Sequence, residues 1–489
     1  MARYNQFKFN QAKYGITNPS TLLWGLLIDW DDDGQFTGEN EAGRMKHMSI
    51  TRGRNYFISP NGDGFEPLMP GQMRITLNNR DGRYNPYNES GPLYPYIDSG
   101  KFIKLIVRVG ATIYNLFSGV IQEITPDNNR VEILAEDGLR WLQDQEVETQ
   151  IYQNITADAA IGNILTAAKW PALWGSSMET GADVLDYWWA YGRNGWEEVR
   201  AVSESEFGRA WVDAAGQMRF ANRFSSRASV LSVTQSQMLK GVRIPQPWEV
   251  RRNIVQVTSN PLTALATADI WRAAGEYTVD AGNSIDVTVE FDYPSIGIIQ
   301  PVATTDYTAF SLTGGAGTDL TADITVSVIA SAQSATLTIS NSGASLAYLN
   351  LLKVRGNPLQ ASTVKSKSSG AGSSTRPRTL NLNLEWQQDI NNPAAFSAQT
   401  LAFLETIREL PQIQIEGRPD IQFVPDLFDP VIIDIQALNI GDTFQVGYIE
   451  HEWLSENGQA VRTTWKLEPL KEYTGWRFPV IFDVTSILG

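Results

Sequence analysis

The chain has 489 residues, a formal net charge of −15, no cysteine and two histidines, His47 and His451. That composition excludes disulfides and thiolate metal sites, and leaves almost no material for a Ser-His-Asp triad or a two-histidine zinc site. The acidic balance argues against a surface that grips nucleic acid by its phosphates, while 15 Trp, 17 Tyr and 19 Phe supply core for two to four domains.

In chain order, the opening "MARYNQFKFNQAKYG" lacks the apolar region of a secretory signal peptide. No run reaches the roughly 18 apolar residues of a membrane-spanning helix. The first ~145 residues read as β. "LLWGLLI" is a strand leading into an acidic loop, and "MRITLNN" alternates before the turn-rich "RDGRYNPYN". "KFIKLIVRVG", "TIYNLFSGVIQEITPD" (with a bulge expected near Ser118-Gly119) and "NRVEILAEDGL" continue the pattern, as in a barrel or sandwich. Near residue 155 the period changes. In "TADAAIGNILTAAKWP", Ile161, Ile164, Leu165 and Ala168 share a helical face, with Thr156 as N-cap and Pro171 as stop. A second helix is predicted over Glu197 to Glu206, then a hairpin "RAWVD-AAGQ-MRFAN".

"RRNIVQVTSN" is another strand. Between Arg272 and Lys353 there is no Lys or Arg but eight acids, and "SIDVTVEFD", "ADITVSVIA" and "SATLTIS" alternate; this block reads as a self-contained β-sandwich. "ASTVKSKSSGAGSSTRPR" reads as a flexible connector whose cations, Lys365, Lys367, Arg376 and Arg378, form a solvated tether or touch DNA or an acidic neighbour. After the strand "TLNLNLEW", the helix "PAAFSAQTLAFLETIREL" puts Phe396, Thr400, Phe403, Leu404 and Ile407 on one face. A long hairpin turning at Glu456-Asn457-Gly458 follows. The strands on either side of the acidic block, at 250–260 and 379–387, are expected to share a sheet, which would make that block an insertion.

In the loop "DWDDDGQFTGEN", the calcium pattern D-x-[DN]-x-[DN]-G maps onto Asp29, Asp31, Asp33 and Gly34, and Gln35 would offer its carbonyl next. The twelfth position, normally a bidentate Glu, is Asn40, flanked by Glu39 and Glu41. Two readings stay open: a calcium site with Asp29, Asp31 and Asp33 as ligands, or a solvated turn closed by Asx bonds. His47 and His451 stand alone on strands and read as structural; Glu450 and Glu452 point away from His451 across the strand. "YWWAYGRNGW" is either a sugar-stacking or partner-docking patch or buried packing. "NGDG" lacks nucleotide-loop spacing.

Taken in order, "DWDDDGQF", "ITRGR", "PGQMRITLNNRDGRYNPYN", "LFSGVIQEI" and "LAEDGLRWL" resemble the N-terminal barrel of tail hub proteins of long-tailed bacteriophages. A helix followed by "GRAWVDAAGQMRF" is similar to the α+β domain of that family, and "RRNIVQVTSNP" with "LNIGDTFQVGYIEHEW" and "TTWKLEPL" to its second barrel. The resemblance covers most of the chain apart from the acidic block and connector, and it is carried by the order of the segments rather than by any single motif.

The resemblance implies a mainly β fold with α+β parts: two tail-tube-like β-barrel domains, a small α+β domain and an inserted β-sandwich. The expected divisions are 1–145, first barrel; 146–225, α+β; 226–262 plus 379–475, second barrel; 263–358, inserted sandwich; 359–378, linker; 476–489, C-terminal tail. The implied role is structural and non-catalytic, a virion tail-tip or baseplate hub. Three copies would present six barrels to a hexameric tube. Implied partners are other copies of the chain, distal-tail and tail-tube proteins above and tip or fibre proteins below. DNA would pass without specific binding. No C-terminal hydrolase domain is expected. The insert resembles carbohydrate-binding or immunoglobulin-like decorations, which makes host glycans a further expected partner. Two alternatives remain at this stage: a hexameric distal tail ring, and a secreted carbohydrate-binding or glycan-cleaving β-protein.

Overall fold

A computed structural model describes residues 21–36, 39–239, 242–245, 248–406, 410–455 and 458–469. The fold is mainly β, with small helical parts. Six strands come first: β1 (Leu22–Ile28), β2 (Met45–Gly53), β3 (Met69–Asn78), β4 (Phe102–Val109), β5 (Thr112–Pro126) and β6 (Arg130–Asp137). They lie in the order β1-β4-β5-β6-β3-β2, all antiparallel. Alternation sends Met48, Ile50, Met73, Ile75, Ile103, Leu105 and Ile133 to one face, where they form a core with Leu26 and Ile28. Register shifts fall at Leu105/Ile106 and Ile121/Glu123, either side of the bulge expected near Ser118-Gly119.

Asp137 ends β6 and caps α1 (Gly138–Gln143) by accepting the Leu139 N–H at 3.0 Å. In α2 (Ala157–Ala167), Ile161, Ile164 and Leu165 are buried. Asn194 caps α3 (Gly195–Ser205), which buries Trp196, Val199 and Val202. The hairpin Arg209–Val212/Met218–Ala221 completes this unit.

Next come β7 (Leu231–Thr234) and β8 (Ile254–Ser259). The acidic block holds, among other strands, β9 (Ser284–Glu290), β10 (Ile324–Ala330), β11 (Ser334–Asn341) and the long β12 (Ala347–Ala361). One of its sheets is β9-β11-β10; the other is built on β12, and the two enclose a separate core that includes Val289, Leu337, Ile339, Leu349 and Val354. The block leaves and rejoins the chain side by side, since Leu262 to Ala264 pairs with Leu359 to Ala361.

The connector departs from expectation. Part of it is strand β13 (Val364–Ser369), antiparallel to β8, and β14 (Thr379–Leu384) runs parallel to β8 on its other side. "VKSKSS" has period 2: Val364, Ser366 and Ser368 face inward while Lys365 and Lys367 are exposed. Lysines on an edge strand are tolerated and resist unwanted pairing. The strands flanking the insert therefore do share a sheet, a three-stranded one in which neither β8 nor β14 pairs with the C-terminal hairpin. Helix α4 (Asn392–Thr406) covers it with Phe396, Leu401 and Leu404, all buried; Ile407 lies outside the described residues.

The remaining elements are β15 (Gln412–Glu416), the one-turn α5 (Pro419–Gln422), β16 (Pro430–Ile435), β17 (Ile440–Trp453) and β18 (Val461–Pro469). β17 pairs with β16 and β18, β7 lies parallel to β16, and β15 borders β18. The turn residues Glu456 and Asn457 lie outside the described residues, as does the expected tail 476–489. The first six strands and these five form one sheet, because β2 pairs with β17 through Ser49↔Glu452 to Gly53↔Tyr448. Among the described residues no helix is long and apolar enough to cross a membrane.

Gly53 closes this seam with φ +105°, and a Cβ there would lie 2.2 Å from the Gly447 carbonyl oxygen. Gly53→Ala therefore combines backbone strain with a backbone clash. The expected loss is about 2 kcal/mol or more, read from urea unfolding; unchanged stability would mean that the seam does not hold the two halves this tightly.

Candidate functional site

The acidic loop is built on Asp29, the fully buried residue that follows β1. Its carboxylate accepts the N–H groups of Asp33 at 3.0 Å and Gly34 at 2.9 Å, while Asp33 in turn accepts the Gln35 N–H at 2.7 Å. These are the Asx bonds of a closed turn. Asp32 adopts φ +59° and pairs with Lys101. The structure brings Asp29, Asp31 and Glu39 together, with one carboxylate oxygen of each within 4.8 Å of the others. Asp33, expected as the third ligand, is not in this trio, and Glu39 is. Glu39 lies one position short of the calcium loop's glutamate position, which is the only sequence signal that could have found it.

Glu39 accepts the Trp30 N–H at 2.8 Å through one oxygen, and its other oxygen is buried without a hydrogen-bond partner. Burial raises the pKa of Glu39, and Asp31, Asp29 and Asp33 add to the rise. Burial also raises Asp29, against the lowering effect of its two backbone bonds. An oxygen-seeking cation such as calcium would satisfy the orphan oxygen and relieve the crowding, so the trio fits that ion's chemistry.

His451 is buried in the seam, opposite Ile50. Its Nδ1 is 2.9 Å from the Thr463 hydroxyl, and its ring packs 5.5 Å from that of Phe423. Burial, with the nearby Arg52 guanidinium, pushes its pKa down to about 3. It is thus a neutral packing residue at neutral pH. The aromatic run is also internal: Trp188 is fully buried and stacks on Tyr152, Trp189 meets Trp386 edge-on at 4.9 Å, and Trp196 is buried.

A cavity of about 140 Å³ opens where α3, α4 and the C-terminal strands meet. Phe57, Phe65, Phe207 and Phe428 line it, and the Arg54–Glu468 ion pair at 2.7 Å forms part of its wall. Three buried carboxyls that sequence reasoning missed lie outside the cavity lining, Asp137 at the cap of α1, Glu198 within α3 and Glu206 at the C-terminal end of α3. Desolvation pushes Asp137, Glu198 and Glu206 up to about 7 each. Glu198 and Glu206 each keep one buried oxygen without a hydrogen-bond partner, which suits a carboxyl that retains its proton.

No family model and no curated protein matches the chain. Among solved structures, it is similar to a tail protein from Neisseria meningitidis MC58, at 10% identity over 92% of this chain and 97% of that one, with a TM-score of 0.50. The 43 kDa tail protein of prophage MuSo2 from Shewanella oneidensis aligns at 10% identity over 91% and 97%, with a TM-score of 0.48. A prophage tail protein, gp18, from Listeria monocytogenes EGD-e aligns at 7% identity over 91% and 94%, with a TM-score of 0.43. At this identity the Neisseria likeness fixes the fold.

The buried carboxyls set a pH dependence. Their folded pKa of about 7 exceeds the ordinary 3.8 and 4.5, so the folded chain binds more protons across that interval and gains stability as pH falls from about 8 toward about 5. His451 acts in the opposite sense below about 6.5, because only the unfolded chain takes up its proton there. Melting temperature should therefore rise from pH 8 to pH 6, and Glu198→Gln with Glu206→Gln should flatten the slope. A slope of opposite sign would show that these groups are ionised in the folded state.

Proposed function

We propose that this chain is a structural, non-catalytic hub of a phage-type tail, several copies of which close a ring below the tail tube. The observation that carries the reading is the fold itself, a full-length likeness to a tail protein. Within it, a six-strand and a five-strand half of one sheet are joined edge to edge through β2 and β17. Two comparable halves per chain allow three copies to offer six similar units to a sixfold tube. Neighbouring tail proteins would stack above and tip components below, and DNA would pass through the ring. A net charge of −15 suits passage without sticking, because phosphate contacts are what hold DNA. The insert, with its own core, is a decoration that can vary without disturbing the ring.

The test is the copy number, by native mass spectrometry of the purified chain and electron microscopy of the intact particle. Three copies are expected. Six identical copies would make the protein a distal tail ring, and a persistent monomer absent from any tail would remove the hub reading.

We further propose that Asp29, Asp31 and Glu39 form a calcium clip that pins the acidic loop. Calcium in excess should raise the melting temperature of the native chain and leave Glu39→Gln largely unmoved. Equal response of the two chains would assign the loop to a metal-free turn.

A further inference from the structure

We propose that the outer face of the β13-β8-β14 sheet is a docking surface for the acidic insert of a second copy of this chain. The proposal rests on the multi-copy reading above and names a contact that would hold neighbours in order.

The argument begins with an asymmetry of charge. Residues 273–352 carry eight acids and no Lys or Arg; residues 361–384 carry four Lys and Arg and no acid. In a chain of net charge −15, the second stretch is an isolated basic island. The fold gives both stretches a flat, polar presentation. Register places Lys367, Gln256 and Asn381 side by side on one face of the three-stranded sheet, with Lys365, Thr258 and Asn383 in the next row. The opposite face is closed by α4 and its core, so this row of cations and amides is the solvent side. Among the described residues Lys365 and Lys367 form no ion pair or side-chain hydrogen bond, and both are exposed.

The insert offers the complement. In the β9-β11-β10 sheet, Asp286 and Glu290 point outward from β9 among Ser and Thr side chains, and both are exposed. Asp286 accepts a hydrogen bond from Thr338 at 2.6 Å, and no cation pairs with either acid among the described residues. β9 and β13 are both edge strands of their sheets. The insert's rim is tied to the α+β unit, since the Ala332 N–H donates to the Thr149 carbonyl and the Ser334 hydroxyl to Glu148. Its acids are therefore held in place rather than on a loose arm.

Opposite charges on two different patches favour a head-to-tail contact, the kind that closes rings. Like patches repel, which disfavours a twofold pair of inserts or of basic faces. A nucleic acid would meet the same cations, but the matching acids within this chain favour a second copy.

The test uses the full chain in two charge-reversed forms, Lys365→Glu with Lys367→Glu, and Asp286→Lys with Glu290→Lys. Melting curves confirm that each folds, and sedimentation and native mass spectrometry at low salt read association. Each reversal alone should weaken association about 10-fold or more, and the four substitutions combined in one chain should restore it. A ring unaffected by either reversal would overturn this contact while leaving the hub reading intact. Weakening that the combined chain does not restore would mean that the basic face meets a different acidic surface of the neighbouring copy, and would overturn the insert as its occupant. A chain that never associates would overturn both.

Discussion

The arrangement depends on the pairing of β2 with β17, a contact between residues separated by some four hundred positions. Through it two β-sheets become one. Side chains on either side reinforce it: Arg52 donates to Asp426 at 2.6 Å and to the Val212 carbonyl at 2.8 Å, and Arg54 grips both oxygens of Glu468. Arg52 thereby ties three regions, the first six strands, the α+β hairpin and the loop before β16. Arg52 and Glu468 are nearly inaccessible to water, so removing one partner would leave the other charge buried and uncompensated. The joint is specific as well as strong.

Around this seam, groups that would normally be ionised or hydrated are dry. His451 is neutral there, and Asp137, with Arg52 nearby, is pushed up by the same loss of water; Glu198 in α3 and Glu206 at its C-terminal end are pushed up likewise within the α+β unit. The cavity lined by Phe57, Phe65, Phe207 and Phe428 has room for about one ring-sized group.

The insert follows a different logic. Its core is separate, its two ends meet at one antiparallel contact, and the stretch 273–352 within it holds no Lys or Arg. A unit attached in this way adds a surface without changing the sheet that carries it, so new contacts can be made at little cost to the parent fold.

Local rules settled much of this in advance. Alternation in "MRITLNN" and "NRVEILAEDGL" decides which side chains face inward, because a strand's side-chain period is two whatever it pairs with. Helical spacing did the same for α2, although Thr156, expected to cap it, makes no side-chain cap bond, and the order of the segments pointed to a tail-hub architecture. "VKSKSS" reads by composition as a tether, yet it forms a strand whose side chains alternate inward and outward. Which edges meet is a different question, answered only in three dimensions. β8 joins β13 and β14 rather than the C-terminal hairpin, and Glu39 rather than Asp33 faces Asp29 and Asp31. The reason is physical: side-chain periodicity acts over a few residues, whereas strand partners and carboxylate clusters are fixed by register and packing between segments far apart in sequence.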